Sequence, residues 1–219
     1  IADVVVVGGV RRSALISLSN LSDDRMRHAK SGDWWNNEPQ RSFANNSVCY
    51  TDRLDTGSFL REWSALYDSK SGERGIFNRQ AAQKQAAKYG RREANWDYGT
   101  NPCSEIILRP RQFCNLSEVV VGADDTKESL QRKIELATIL GTIQSCFTDF
   151  KGLGKQWSNN TEEERLLGVS LTGILDNAML ANKTKDNLPN LLGSLRVGAV
   201  GINKKWAALL DIDTTPAIT

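Results

Sequence analysis

Short β-branched runs alternate with long stretches of helical periodicity, and that alternation limits this chain's possible folds more than any other feature. Residues 4–7, in the run IADVVVVGG, read as a strand, with a loop over 8–13. Residues 14–18, 47–51, 105–108 and 116–121 read as further extended segments. Between them, 23–30 (with Ser22 as N-cap), 58–68 and 78–89 read as helices. Residues 126–150 form the longest helical pattern, apolar at Leu130, Ile134, Ala137, Ile139 and Leu140. Residues 161–181 read as another helix, with Thr161 and Glu164 spaced as a capping box. Parallel strands need long crossovers, so the expected fold is α/β with a parallel sheet or barrel.

Composition removes several classes of function. The chain has 219 residues, 40% of them hydrophobic, and a formal net charge of +2. That balance gives no support for a nucleic-acid or lipid partner. No apolar run approaches the roughly 18 residues needed to span a bilayer, so no membrane partner is expected. Four irregularly spaced cysteines do not make a secreted disulfide framework, and the chain reads as cytoplasmic with reduced thiols. The one histidine, His28, sits in the charged stretch DDRMRHAK and reads as a solvated surface residue. Without another, Ser-His-Asp and Cys-His nucleophile systems have no base. No C-x-x-C pair suggests zinc, and no metal site is expected. Neither G-x-x-x-x-G-K-[ST] nor G-x-G-x-x-G occurs.

The chemistry concentrates in GTNPCSEIILRPRQFCNLSEVVV, residues 99–121. Pro102 fixes its own φ and biases Asn101 towards an extended conformation, so Cys103 sits on a stiff turn. Ser104 separates Cys103 from Glu105, which lets both side chains face one side where the backbone is extended. Thiol, carboxylate and amide supply a redox-active sulfur, a proton acceptor and a hydrogen-bonding clamp. Cys114 follows eleven residues later, after a basic connection with Arg109 and Arg111. By pattern alone, two structural thiols in a strand-loop-strand unit are as good a reading. Cys146, among Ile143, Phe147 and Phe150, reads as core packing, and so does Cys49.

The segment NPCSEIILRPRQFCNLSEVV resembles the active-site finger loop of ribonucleotide reductases, most closely the adenosylcobalamin-dependent (class II), monomeric, triphosphate-reducing kind. VVVVGGVRRSALISLS resembles the family's specificity loop with its flanking strands. SFANNSVCYT, SGERGIFNR and LGVSLTGILD are similar to further family segments in the expected order. The resemblance implies part of a ten-stranded α/β barrel, with the finger loop (near 99–108) at its centre. It implies that Cys103 becomes a thiyl radical taking the ribose 3′-hydrogen. Glu105 would accept the 3′-hydroxyl proton, Asn101 would hydrogen-bond the ribose hydroxyls, and Cys114 would be one of two thiols reducing the 2′-carbon. The expected partners are a ribonucleotide, a deoxynucleotide effector and a thioredoxin-like or other dithiol reductant, with adenosylcobalamin as cofactor.

Gly8, Gly9, Val10, Arg11, Arg12 and Ser13 form the segment matched to the specificity loop. Two glycines permit close backbone approach to a ligand, and two arginines suit phosphate contact or base stacking; a solvated basic turn is the plainer reading. The resemblance leaves parts of the family pattern unmatched: the second redox thiol, the C-terminal cysteine pair and a Pro-Ser-Gly-Thr phosphate loop. The strand-like start and the DIDTTPAIT end give the expectation of an internal segment of the barrel domain, inert alone, bounded by splicing elements or by truncation. A non-radical dithiol enzyme, a nucleotide-binding or folding unit, and a reductase with a separate radical subunit remain as alternatives.

Overall fold

The computed structural model describes residues 14–182 and 187–218. The expected strand at 4–7 and the loop at 8–13 lie outside them. The chain divides into two compact units, 1–110 and 111–219.

The first unit contains β1 (Leu15–Ser19), α1 (Asp24–Arg27), α2 (Trp34–Asn37), a 3₁₀ turn (Pro39–Phe43), β2 (Ala44–Tyr50), α3 (Thr56–Ser69), β3 (Gly75–Asn78) and α4 (Arg79–Ala87). It ends with the two-residue strands β4 (Gly99–Thr100) and β5 (Ile107–Leu108). β1, β2 and β3 form a parallel sheet in that order, with Leu15 opposite Ala44 and Ser47 opposite Gly75. A side chain at position 75 would come within 2.8 Å of Ser47 Oγ, so glycine lets the two strands pair there.

This sheet is unusually polar; only Val48 among its apolar residues is fully buried. Ion pairs secure its end instead. Glu62 on α3 and Arg74 before β3 are 3% and 4% exposed. Arg74 Nε and Nη2 donate to the two Glu62 oxygens at 3.0 and 2.9 Å, and Arg27 Nε donates to Oε1 at 2.8 Å. Arg74 Nη1 also donates to Ser19 Oγ of β1 at 2.8 Å. Burial acts to raise the Glu62 pKa, but the hydrogen bonds from Arg74 and Arg27 outweigh it, and the carboxyl stays below its ordinary value. Asp23, not Ser22, caps α1, accepting from Met26 N at 3.0 Å, and His28 lies at that helix's C-terminus with a half-exposed side chain.

The second unit contains β6 (Asn115–Val120), α5 (Lys127–Gln144), α6 (Lys155–Glu164), β7 (Leu167–Thr172), a 3₁₀ turn (Ile174–Asp176) and α7 (Leu188–Leu209). β6 and β7 are parallel, from Asn115 opposite Leu167 to Val120 opposite Thr172, and Ile218 bridges Leu167 in parallel. Val119 and Val121 meet Leu130, Ile134 and Ala137 of α5 and Leu191, Leu195 and Ala199 of α7 in one buried cluster. The helical spacing of those residues explains why α5 and α7 turn single apolar stripes to this core. Thr126 and Ser129 form a reciprocal capping box at the start of α5.

Two loops at the C-terminal ends of β6 and β7 interlock. Asn177, 1% exposed, donates to Gly122 O at 3.1 Å and Asp125 O at 2.9 Å. Its Oδ1 accepts from Met179 N and Leu180 N. Gly173 has φ +76°, and a Cβ there would lie 2.5 Å from Val121 O. Asp125 Oδ2 accepts from Lys133 Nζ at 2.6 Å and Gly122 N at 2.7 Å, and Oδ1 accepts from Ser129 Oγ at 2.7 Å.

Several expectations need correction. The 161–181 helix does not exist: α6 ends at Glu164, Arg165 takes a left-handed conformation (φ 43°), and β7 follows. Thr161 and Glu164 belong to the last turn of a helix, not the first. α5 stops at Gln144 rather than Phe150. Cys146, expected in the core, is exposed beyond that end. α7 was not expected at all. Among the described residues the strands form sheets of three, two and two, mixed α/β with no closed barrel.

Candidate active site

The candidate loop is a hairpin closed by β4 and β5, with Gly99 opposite Leu108 and Thr100 opposite Ile107 in antiparallel pairing. Its base is fixed from within the first unit. Tyr98 is fully buried against Ala82 and Ala86 of α4, and its hydroxyl donates to Glu93 O at 2.6 Å. Arg79 Nε donates to Tyr98 O at 2.8 Å, and Arg92 Nη2 donates to Ile107 O at 3.0 Å. Arg109 is buried over the Trp96 ring, 4.7 Å from its centroid. The six residues between the short strands therefore project from a rigid foot.

Asn101 organises the tip. Its carbonyl accepts from Ser104 N at 3.0 Å, closing the turn that carries Pro102 and Cys103. Its side-chain Oδ1 accepts from Ile106 N at 3.1 Å, and its Nδ2 donates to Glu105 Oε1 at 2.5 Å. Ser104 has φ 64°, a left-handed residue that reverses the chain between Cys103 and Glu105. Cys103, Ser104 and Glu105 are all exposed. The amide and carboxylate expected to meet one ligand are thus already in contact, and the thiol stands free on the same turn.

Cys114 falls in the second unit, half-buried at the entrance to β6. The residues around it are held by α6 and by Leu166, just before β7. Gln112 Nε2 donates to Glu164 Oε2 at 2.6 Å and to Asn160 O at 3.0 Å. Phe113 N donates to Thr161 Oγ1 at 3.2 Å, and the Phe113 ring packs 4.8 Å from both Trp157 and Phe150. Asn115 N and Nδ2 both donate to Leu166 O, at 2.8 and 3.2 Å. Gln112, Asn160, Thr161 and Glu164 are all nearly inaccessible. The sequence reading singled out none of them in this setting. The available signal was three polar residues, Asn160, Thr161 and Glu164, on one helical face.

The other candidates are placed less fully. Gly8, Gly9, Val10, Arg11, Arg12 and Ser13 lie outside the described residues. Cys49, on β2, is half-buried; burial pushes its thiol up, Arg79 acts to lower it and Asp97 to raise it. Arg111, in the basic connection, donates to Gln156 of α6.

Among the described residues no three His, Cys, Asp or Glu side chains cluster as metal ligands, and no helix is long and apolar enough to cross a membrane. A groove of ≈ 200 Å³ runs between α5 and α7, lined by Ile134, Glu135, Leu195, Val197 and Gly201 among others. It is too small for a corrinoid ring and carries no thiol. The residues around it do not fit adenosylcobalamin.

No family model matches the chain. The curated proteins similar to it are all named as ribonucleotide reductases. Within that class they are all named adenosylcobalamin-dependent ribonucleoside-triphosphate reductase, the kind that the motifs resemble. The Lacticaseibacillus paracasei protein is 33% identical over 182 residues. The Levilactobacillus brevis protein is 31% identical over 182 residues, and the Lactobacillus leichmannii protein 30% over 183. Each alignment covers 80% of this chain and 23% of the relative, so the chain spans about a quarter of the length of the curated relatives it matches.

Proposed function

We infer that this chain is part of the catalytic domain of a ribonucleotide reductase that converts ribonucleoside triphosphates to 2′-deoxyribonucleotides by thiyl-radical chemistry. The observation that carries the reading is the tip of the finger loop. An exposed thiol lies between an amide and a carboxylate already 2.5 Å apart, on a turn fixed at its foot. Abstraction of one hydrogen needs a sulfur held at a defined distance from one C–H bond, and a stiff turn supplies that. The relatives' names support the reaction class and the triphosphate.

In this reading the Cys103 radical removes the ribose 3′-hydrogen and becomes a thiol. Glu105 takes the 3′-hydroxyl proton while Asn101 holds the ribose hydroxyls. The 2′-hydroxyl leaves as water. Cys114 and a second thiol outside the matched residues supply two electrons and two protons and end as a disulfide, and the 3′-hydrogen returns from Cys103. A thioredoxin-like or other dithiol reduces that disulfide for the next turnover. Residues 8–13 are assigned to reading a deoxynucleotide effector. Residues 1–219 would form part of a ten-stranded α/β barrel in the cytoplasm, within a longer polypeptide that binds adenosylcobalamin.

The test is Cys103→Ser in the complete reductase. Serine keeps the side chain's shape, but its O–H bond is too strong to yield the radical. Deoxynucleotide formation is expected to disappear while nucleotide binding persists. More than trace turnover in the variant would overturn the radical assignment.

A further inference from the structure

We propose that Gln112, Thr161 and Glu164 are positioning residues for Cys114, with α6 acting as a clamp that sets where this thiol stands. The proposal rests on the reading of Cys114 as a reducing thiol, but its geometry is independent of it.

A cysteine at a strand entrance is normally placed by the ladder that follows it. Here the ladder begins at Asn115, one residue later. Residues 112 and 113 precede the strand, in a segment without regular structure, and such segments have no ladder bonds of their own. They are nonetheless bound at both positions: Gln112 through its side chain to Glu164 and Asn160 O, Phe113 through its main-chain amide to Thr161. Asn115 is bound twice to Leu166 O. Cys114 therefore lies between two pinned points, and its side chain is partly open.

The chemistry of the clamp is unusual for plain packing. Thr161 and Glu164 are each 2% exposed and Gln112 is 5% exposed, so polar groups are buried where apolar ones would be easier to hold. Buried polar pairs fix one geometry, whereas apolar contacts tolerate sliding. All of these donors and acceptors converge on the main chain or side chains adjoining Cys114. For a thiol that must reach one carbon of a bound sugar, small shifts in position alter the rate strongly. α6 thus fixes the segment that carries the sulfur.

The test compares Thr161→Val, which has the same shape but no acceptor for Phe113 N, with Thr161→Ser, which keeps one. In the complete reductase, timed iodoacetamide labelling read by peptide mass spectrometry follows Cys114, with Cys103 as internal reference. Loss of one buried hydrogen bond should raise local opening, and hence the Cys114 labelling rate, by about tenfold. Thr161→Ser should restore the parent rate, and Cys103 should label equally in all three. Gln112→Met removes the other contact at similar length and should act in the same direction, which keeps the test usable should Thr161→Val not fold. A Cys114 rate that stays unchanged while the melting temperature falls would show that the contacts serve stability alone and would overturn the proposal. Turnover measured separately in the complete reductase isolates the other reading: a Cys114→Ser reductase that still cycles would refute the role of the thiol and leave the clamp standing.

Discussion

Replacing Asn101 by alanine should loosen the loop tip before any question of catalysis arises. The Ile106 amide lies in a residue only 5% exposed and donates to Asn101 Oδ1 at 3.1 Å. Alanine leaves that buried donor without its acceptor, which costs ~1–3 kcal/mol. The 2.5 Å contact to Glu105 is on the surface and adds less than about 1 kcal/mol, because water competes for both groups. A loss at the low end of that range, ~1–2 kcal/mol, already corresponds to about a 5- to 30-fold rise in opening of residues 101–106. Native-state hydrogen exchange at the Ile106 amide reads this directly. Asn101→Asp separates the two contacts: it keeps an acceptor for Ile106 but sets a second carboxylate against Glu105. Exchange at 106 should therefore stay close to the parent in Asn101→Asp and rise in Asn101→Ala. If alanine left exchange at 106 unchanged, the β4–β5 pairing alone would hold the loop, and the organising role of Asn101 would be wrong.

Glu62→Ala should destabilise the chain by ~3–5 kcal/mol in denaturant titration, because it strands the Arg74 guanidinium in a buried site, while Glu62→Leu combined with Arg74→Leu should recover much of the loss. The Lys133 hydrogen bond, then Ser129 and Gly122 N, hold the Asp125 carboxyl down at about 2. A depressed carboxylate contributes stability that is complete above the unfolded value of roughly 4 and fades as pH falls towards 2. Asp125→Asn should thus lower the melting temperature at pH 7 and flatten its decline between about pH 4 and pH 2. Cys146→Ala should change stability by less than about 0.5 kcal/mol, since the side chain is exposed, whereas Leu130→Ala in the core should cost ~2–5 kcal/mol by the same measurement.

Periodicity identified the elements whose stripe or alternation is long. The start of α5, the position of α3 and the strand at 116–121 were legible for that reason, each within a residue or two of the observed bounds. Local signals with two meanings failed. Thr161-x-x-Glu164 has capping-box spacing, yet both side chains turn to the segment at 112–113, so tertiary bonding settled a pattern that local spacing left open. The alternation in LGVSLT, which forms β7, was absorbed into the same supposed helix. α7 had a usable start signal, Asn187 as N-cap with Pro189 in the first turn, that the sequence reading passed over. At the site, proline and spacing made the Asn101–Cys103–Glu105 turn legible. The buried polar residues beside Cys114 come from positions some fifty residues away in sequence, as in the Gln112–Glu164 bond, and no local pattern encodes such a meeting.

The close approach at Gly173 bears on how this chain tolerates change. A Cβ would stand 2.5 Å from Val121 O, main chain that cannot swing aside, and φ is already +76°. Two independent prohibitions, steric and conformational, fall on one residue. Gly152 shares the backbone problem, with φ +84°, but has nothing within 4 Å of the missing Cβ. Asn or Asp, which visit this region most readily, can therefore stand at 152 and not at 173. In a saturation library sorted for folded chains, position 173 would return glycine alone, and position 152 a small polar set. Drift along the segment LTGILDN is thereby barred at one atom's width, while the exposed turn twenty-one residues earlier is free to vary.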